Sequence, residues 1–359
     1  MRDGTFGQGG PAMKAVVIHE HGGVDKLDYA EVATPEPGAG KVRVAIKASG
    51  VNHFDHDIRE GVSGVQQALP HVLGVEGVGV VEALGPGVEG GVEDVAVGDR
   101  VAIFMPQGDP RSRLWLKGLD GLDFTHGRIG VDLWGTHAEY CISRADALVK
   151  LPDDLAFETA AASMVCFGTA WHMTVVQGRV EAGQTVLVNA AGSGVGTSAI
   201  QVAKLHGARV IASAGSDAKL ARAKELGADE VVNYSTQSLR DECLRMTGGD
   251  GVDLVIESVG GEVLRQSVDA VRPDGHLVTC GAHAGEIVPL NIIELFRKRM
   301  HFHGSHFCGR RELAHVFGLV AQKRLQPVIH AALPMSQVRE AAARTADRNF
   351  FGKMVLIPD

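Results

Sequence analysis

Two short stretches hold most of the residues that could do chemistry. The first is Ala190-Ala191-Gly192-Ser193-Gly194-Val195-Gly196, a small-residue turn that follows the apolar run Val186-Leu187-Val188. Such a turn lets backbone N–H groups at a helix N-terminus approach a pyrophosphate, where the helix dipole favours negative charge. Gly192, Ser193, Gly194, Val195 and Gly196 are therefore candidate dinucleotide contacts, provided that a helix and a second strand follow. The second stretch, Asn52-His53-Phe54-Asp55-His56-Asp57, gathers an amide, carboxylates and imidazoles. Asn52 could donate its amide to a substrate oxygen that gains negative charge, and Asp57, His56 or water could deliver a proton. For Asp57 to act as an acid near neutral pH, burial has to raise its pKa; the alternative is a solvated loop carboxylate.

The elements around the turn meet its condition. Residues 197–206 carry a helical pattern, Gly207 stands where a left-handed C-cap belongs, and 209–213 reads as the second strand of a βαβ unit. Helices over 219–226, 239–246, 262–271 and 292–297 then alternate with strands over 230–233, 252–257, 276–280 and 300–304. Alternation of this kind means a doubly wound parallel α/β sheet of about six strands. Upstream, short strands over 13–19, 42–49, 78–84 and 100–104 lie between Gly- and Pro-rich turns and argue for a barrel or sandwich. Residues 106–133 form a polar excursion, after which strand character resumes at 141–143. Residues 151–176 read as two helical stretches broken near Phe167-Gly168, with Asp153 or Asp154 as N-cap. The tail offers helices over 312–323 and 336–346 and a strand over 353–357 that could return to the first block. The expected division is a disordered extension at 1–12, a β-rich domain from 13–160 and 309–359, and the nucleotide domain at 161–308.

Composition narrows the class. The 359 residues have a formal charge of −8, so no basic field recommends nucleic acid as a partner. No apolar run approaches a membrane span, and the N-terminus lacks the order of a signal peptide. The five cysteines include no CxxC pair, so neither a disulfide framework nor a Cys-rich zinc site is suggested. A cytoplasmic enzyme acting on a small molecule is the simplest reading.

Cofactor choice turns on the end of the second strand of the unit, where NAD enzymes place a carboxylate. Here it reads Ser213-Ala214-Gly215-Ser216, with Lys219 one helical turn further on. Hydroxyls and a lysine suit a dianionic phosphate, which favours NADPH over NADH. Asp217 is the counter-indication, unless it serves the N-terminus of the next helix.

The order of a β-rich block, GDRV at 98–101, GTHAEY at 135–140, AGSGVG at 191–196 and GKMVL at 352–356 resembles the medium-chain dehydrogenase/reductase superfamily. That superfamily includes zinc alcohol dehydrogenases and metal-free quinone or enone reductases. The resemblance implies a GroES-like catalytic domain built from both chain ends, a Rossmann domain between them, and an active site in the cleft. It also implies cofactor contacts from Thr169, Ser258, Cys280, Gly281, Ser305, His306 and Phe307, and a 2′-phosphate contact from Tyr234. His53 would approach the pyrophosphate and Lys353 would close the cleft, while the strand at 300–304 would pair two copies into a homodimer.

Zinc-dependent members carry a cysteine ligand where this chain has Asn52 and a histidine ligand where it has Val75, although Glu76 remains. The third ligand would fall near Val165, with Cys166 out of register, and the 106–133 excursion has no cysteine for a structural zinc. Valine cannot ligate and a catalytic zinc needs three protein ligands, so no metal is expected. The likeness is to the zinc-lacking quinone and enone reductase branch. Asp57 stands where those enzymes often carry tyrosine. A relocated metal among His53, Asp55, His56, Asp57 and His71 is the rival; the plainer alternative buries Asp55 against a base such as Lys353. Two other functions stay open: an alcohol dehydrogenase or ketone reductase with an atypical or absent metal, and a non-catalytic NADPH-binding protein.

Overall fold

The computed structural model describes residues 11–62, 64, 67–89, 94–348 and 350–359. In chain order the elements are β1 (Ala12–Ile18), β2 (Asp28–Ala33), β3 (Lys41–Val51), α1 (His53–Glu60), β4 (His71–Val72), β5 (Gly77–Leu84) and β6 (Arg100–Ile103). They continue with α2 (Arg113–Leu116), β7 (Tyr140–Arg144), β8 (Leu148–Lys150), α3 (Phe157–Trp171), β9 (Thr185–Val188), α4 (Gly194–Leu205), β10 (Arg209–Ala214) and α5 (Asp217–Glu225). Next come β11 (Glu230–Asn233), α6 (Leu239–Met246), β12 (Val252–Glu257), α7 (Gly261–Ala270), β13 (Val271–Thr279), α8 (Ile292–Lys298) and β14 (His301–Gly304). The chain ends with α9 (Arg310–Ala321), β15 (Ile329–Pro334), α10 (Val338–Ala346) and β16 (Lys353–Ile357).

Two compact units result: Met1–Met164 with Gly309–Ala321 and Ile329–Asp359, and Val165–Cys308 with Gln322–Val328. The expected 309–359 segment included 322–328, which instead goes with the second unit. There Gln201 Nε2 donates to Gln326 O at 2.8 Å and Gln326 N–H donates to Gln201 Oε1 at 2.9 Å. Most of the expected N-terminal extension lies outside the described residues; Ala12 already belongs to β1.

In the first unit, one sheet runs β15-β16-β3-β5-β6-β8, with β7 also on β3, and a second runs β2-β1-β4. Strand β3 alternates as a half-buried strand should, and Val42, Val44 and Ile46 face a core of Val81, Val101, Ile103 and Cys141. The C-terminal strand β16 lies antiparallel to β3, with Met354 opposite Val51 and Leu356 opposite Ser49. This pairing brings Lys353 beside the segment that carries Asn52. Strands β2, β4, β8 and β15 were not foreseen, because each is short or half-exposed and lacks a clean apolar alternation.

The 106–133 excursion is ordered by a carboxylate. Buried Asp123 accepts from Thr125 Oγ1 at 2.6 Å, from Thr125 N–H and Asp109 N–H at 3.1 Å each, and from Ser112 Oγ. Burial works against its charge, but these donors outweigh it and hold the carboxyl below the usual range. A depressed folded pKa contributes stability above the unfolded value, about 3.9, that is lost as pH falls through the folded value. Asp123→Ala is expected to cost about 2 kcal/mol of stability at neutral pH, measured by thermal melts. Asp123→Asn should flatten the fall in melting temperature on acidification.

The second unit is a six-stranded parallel sheet in the order β11-β10-β9-β12-β13-β14. Its apolar strands were legible as near-continuous runs, and Gly207 does take the left-handed conformation at the end of α4, with φ 77°. Two expectations fail in α3. The helix is unbroken through Phe167-Gly168 and passes into a π-helical turn, His172–Gln177. Gly168 serves packing, since a Cβ there would lie 2.7 Å from Cys308 Sγ. Asp153 and Asp154 lie in a turn before the helix, which starts at Phe157, so neither is its N-cap.

A nucleotide turn and a buried polar cluster

The turn after β9 sits where the strand order reverses, with β10 on one side of β9 and β12 on the other. Ligands of open α/β sheets bind at such switch points. Ser193 caps α4, its Oγ accepting from Gly196 N–H at 2.9 Å. A Cβ on Gly196 would overlap the Ala190 carbonyl oxygen and lie 2.9 Å from Ala191 Cα, so only glycine lets the helix start this close to the turn. Ala190 itself has φ 50°, an uncommon value for a residue with a side chain and one that marks a constrained turn. The fold supplies a helix N-terminus behind Gly194 and Val195, both half-buried. These residues fit the pyrophosphate of a dinucleotide.

Because the strands are parallel, the other expected contacts collect at the same C-terminal edge of this sheet. Gly215 and Ser216 follow β10, Tyr234 follows β11, Ser258 follows β12, Cys280 and Gly281 follow β13, and Ser305 and His306 follow β14. Tyr234 lies against Gly215, where a Cβ would be 3.3 Å from Tyr234 Cε2. Ser216 is the N-cap of α5 and, like Lys219, is half-buried. Asp217 is tied down, accepting from Asn233 Nδ2 at 2.7 Å. Ser305 Oγ is buried with no hydrogen-bond partner among the described residues. Burial pushes the Cys280 thiol up to about 12, so it is a neutral thiol and not a nucleophile.

Three of the expected contacts are corrected or narrowed. Ser213 is fully buried and donates to Asn189 Oδ1 at 2.6 Å, so it braces the turn instead of facing a phosphate. Phe307 is buried with φ 53° beside Gly168, and Thr169 is buried in α3. Two residues of this edge were missed. Asn189 also donates to Ser267 Oγ at 2.8 Å, and buried Glu257 accepts from Val259 N–H at 2.8 Å and Gly260 N–H at 3.1 Å. The signal for both was a polar residue ending an apolar strand run.

In the first unit, α1 opens at Asn52, whose N–H donates to Asp55 Oδ2 at 2.8 Å. Asn52 Nδ2 donates to Glu76 Oε1 at 2.8 Å, and Lys353 Nζ donates to Asn52 Oδ1 at 2.6 Å and pairs with Glu76 Oε1. The amide offered to a substrate oxygen is thus engaged at both ends within its own unit. Its bond to Gly50 O spans 3.5 Å and is weak. Lys353 forms its ion pair with Glu76, while Asp55 is buried, as expected, and feels the Lys353 charge without pairing with it; at 5% exposure Lys353 is a buried cation. Gly50 makes room for this pair, since a Cβ there would overlap Glu76 Oε1 and lie 2.8 Å from Lys353 Cε. His56 is buried, and His53 and Asp57 are half-buried on α1, the two imidazoles 5.5 Å apart.

Zinc does not fit these residues. Val75, at the second ligand position, is buried among Ile58, Val51, Leu73 and Met354. The oxygen of Asn52 already holds an ammonium. His71, weighed for a relocated metal, has Nε2 committed to Gly130 O at 2.9 Å.

The chain matches two family models, the alcohol dehydrogenase GroES-like domain over residues 38–153 and zinc-binding dehydrogenase over residues 194–322. It is 30% identical to a 2-haloacrylate reductase of a Burkholderia species, over 96% of this chain and 98% of the relative. A quinone oxidoreductase of Pseudomonas aeruginosa is 30% identical over 96% of this chain and 99% of its own. Among solved structures, an NAD-dependent alcohol dehydrogenase superposes with a TM-score of 0.90 at 40% identity, covering 97% of this chain and all of that one (100%).

Proposed function

The chain belongs to the medium-chain dehydrogenase/reductase superfamily, and from that premise we propose that it is an NADPH-dependent reductase of activated C=C bonds or quinones working without zinc. Membership makes it an oxidoreductase with a nicotinamide cofactor. The observation that carries the finer reading is the replacement of ligand chemistry by Val75 in an apolar core and by an ammonium on Asn52. A site with no Lewis acid suits acceptors that are already activated, and the likeness to a 2-haloacrylate reductase supports the same class.

When bound, a reduced nicotinamide supplies hydride. The N-terminus of α4 and Ser193 hold its pyrophosphate, and Ser216, Lys219 and Tyr234 hold the 2′-phosphate. Thr169, Ser258, Cys280, Gly281, Ser305 and His306 orient the rest of the cofactor, with Phe307 behind them. Lys353 fixes the plane of the Asn52 amide, and the hydrogen that reaches Gly50 O across 3.5 Å is the one a substrate oxygen can take over. His56 or Asp57 returns the proton. The copies pair through β14, the last strand of its sheet, where Phe302 is 40% exposed. The five cysteines, four of them buried, form no disulfide, which fits a cytoplasmic setting.

The test is kcat/KM with NADPH and NADH across enones, quinones and aldehydes, with metal content measured on the same protein. NADPH is expected to be preferred about tenfold or more, and Lys219→Ala should remove about tenfold from NADPH while sparing NADH. Clear NADH preference, or stoichiometric zinc with chelator-sensitive activity, would overturn the proposal. The 40% identity to an NAD-dependent alcohol dehydrogenase favours a second reading, an alcohol dehydrogenase or ketone reductase. That reading requires NAD-linked oxidation of alcohols in the same assay.

A further inference from the structure

The carboxyl of Glu257 stands where three parallel strands leave the sheet of the second unit. Glu257 ends β12, fully buried, opposite Thr279 on β13, and Thr279 in turn is opposite Gly304 on β14. Side chains in register on neighbouring strands share a face, so those of Glu257 and Thr279 meet. Glu257 Oε1 accepts from Val259 N–H at 2.8 Å and from Gly260 N–H at 3.1 Å, which folds the loop after β12 back over the strand end. Thr279 Oγ1 lies 3.3 Å from Glu257 Oε2 and 3.3 Å from Gly281 O. The backbone closes the same corner: Cys280 N–H donates to Glu257 O at 3.0 Å, Ala284 N–H to Val259 O at 2.7 Å, and Ser305 N–H to Thr279 O at 2.8 Å. There is little slack, since a Cβ on Gly281 would lie 2.9 Å from Ser258 O and one on Gly260 2.5 Å from Gly285 O.

The Thr279 hydroxyl has one proton and two acceptors to serve. A protonated Glu257 completes the count, its Oε2–H donating to Thr279 Oγ1 while Thr279 donates to Gly281 O. Burial pushes the carboxyl up, in the same direction, against the Val259 and Gly260 N–H groups and the Thr279 hydroxyl, which favour the charged form. The corner requires an acceptor toward one loop and a donor toward the other. A neutral carboxyl has both.

These loops border the half of the nucleotide site that remains once the phosphates are placed. A dinucleotide lies across the reversal of strand order. With the pyrophosphate at the N-terminus of α4, and the 2′-phosphate at Ser216, Lys219 and Tyr234 beyond β10 and β11, the nicotinamide half falls to the exits of β12, β13 and β14. We propose that Glu257 is a positioning residue for that half: through hydrogen bonds and not through charge, it sets the spacing between the Ser258 loop and the Cys280-Gly281 loop. This rests on the nucleotide reading above, and is independent of the acceptor that the enzyme reduces.

The experiment compares the affinity of NADPH with that of 2′,5′-ADP, which carries the adenosine half alone, by calorimetric titration of each variant. Glu257→Ala is expected to weaken NADPH about tenfold or more while 2′,5′-ADP stays within about twofold. Glu257→Gln keeps an acceptor and a donor, so it should hold NADPH within about twofold of wild type. Thr279→Val removes only the link between the two loops and should weaken NADPH about threefold or more, again sparing 2′,5′-ADP; it decides the matter if Glu257→Ala does not fold. Equal weakening of both ligands would mean that the carboxyl supports the sheet as a whole, and would overturn the positioning role. A loss of about tenfold in Glu257→Gln, or wild-type NADPH affinity in Thr279→Val, would overturn it too. Wild-type protein that prefers NADH would count against the 2′-phosphate contacts alone, and the same comparison then decides the role of Glu257 with NADH and AMP.

Discussion

Lys353→Met is expected to destabilise the first unit by about 3–5 kcal/mol, because it removes the cation from a carboxylate that has no access to water. Glu76 is fully buried, and Asn52 Nδ2, which donates to it at 2.8 Å, is a neutral amide. In a unit of this size that cost corresponds to a fall of about 10 °C in melting temperature. The control is Lys353→Met combined with Glu76→Gln. With both charges gone, the buried site should recover much of the loss, since replacing a buried pair is often nearly neutral while breaking one is not. A double-mutant cycle on thermal melts measures the difference. If Lys353→Met melts with the wild type, the pair carries no such load, and Lys353 is not what holds Asn52.

That prediction was not available from sequence, and the reason lies in the topology. Glu76 and Lys353 were both visible as family positions, yet nothing local says that the ammonium turns to Glu76 and not to Asp55. The choice is made by β16 lying antiparallel to β3, which sets Met354 opposite Val51, and by Gly50 lacking the Cβ that would fill the space. Pairing across some three hundred residues has no periodic signature. The parallel sheet, by contrast, was legible almost strand by strand, because fully buried strands read as apolar runs and helices as stripes. Where a polar residue sat at a strand end, sequence gave its place but not its direction. Ser213 and Ser216 lie on one short strand exit, but Ser213 turns inward to Asn189 and Ser216 caps α5.

Gly196→Ala is expected to weaken NADPH binding by about 10- to 100-fold while the protein stays folded. The added methyl would meet backbone, the Ala190 carbonyl and Ala191 Cα, so no side-chain rotation can relieve it. Either α4 moves away from the turn or the turn opens, and both displace the N–H groups that face a pyrophosphate. Repacking of this size costs about 1–3 kcal/mol, which in affinity is about one to two orders of magnitude. Ser193→Ala is the comparison. It removes the cap bond to Gly196 N–H but leaves the backbone path intact, so it should cost about 1 kcal/mol of helix stability. NADPH fluorescence titration against both variants separates the two effects. Wild-type affinity in Gly196→Ala would mean that the close approach of Ala190 and Gly196 is not what shapes the phosphate site. A loss in Ser193→Ala as large as in Gly196→Ala would move the decisive contact from the backbone to the serine hydroxyl.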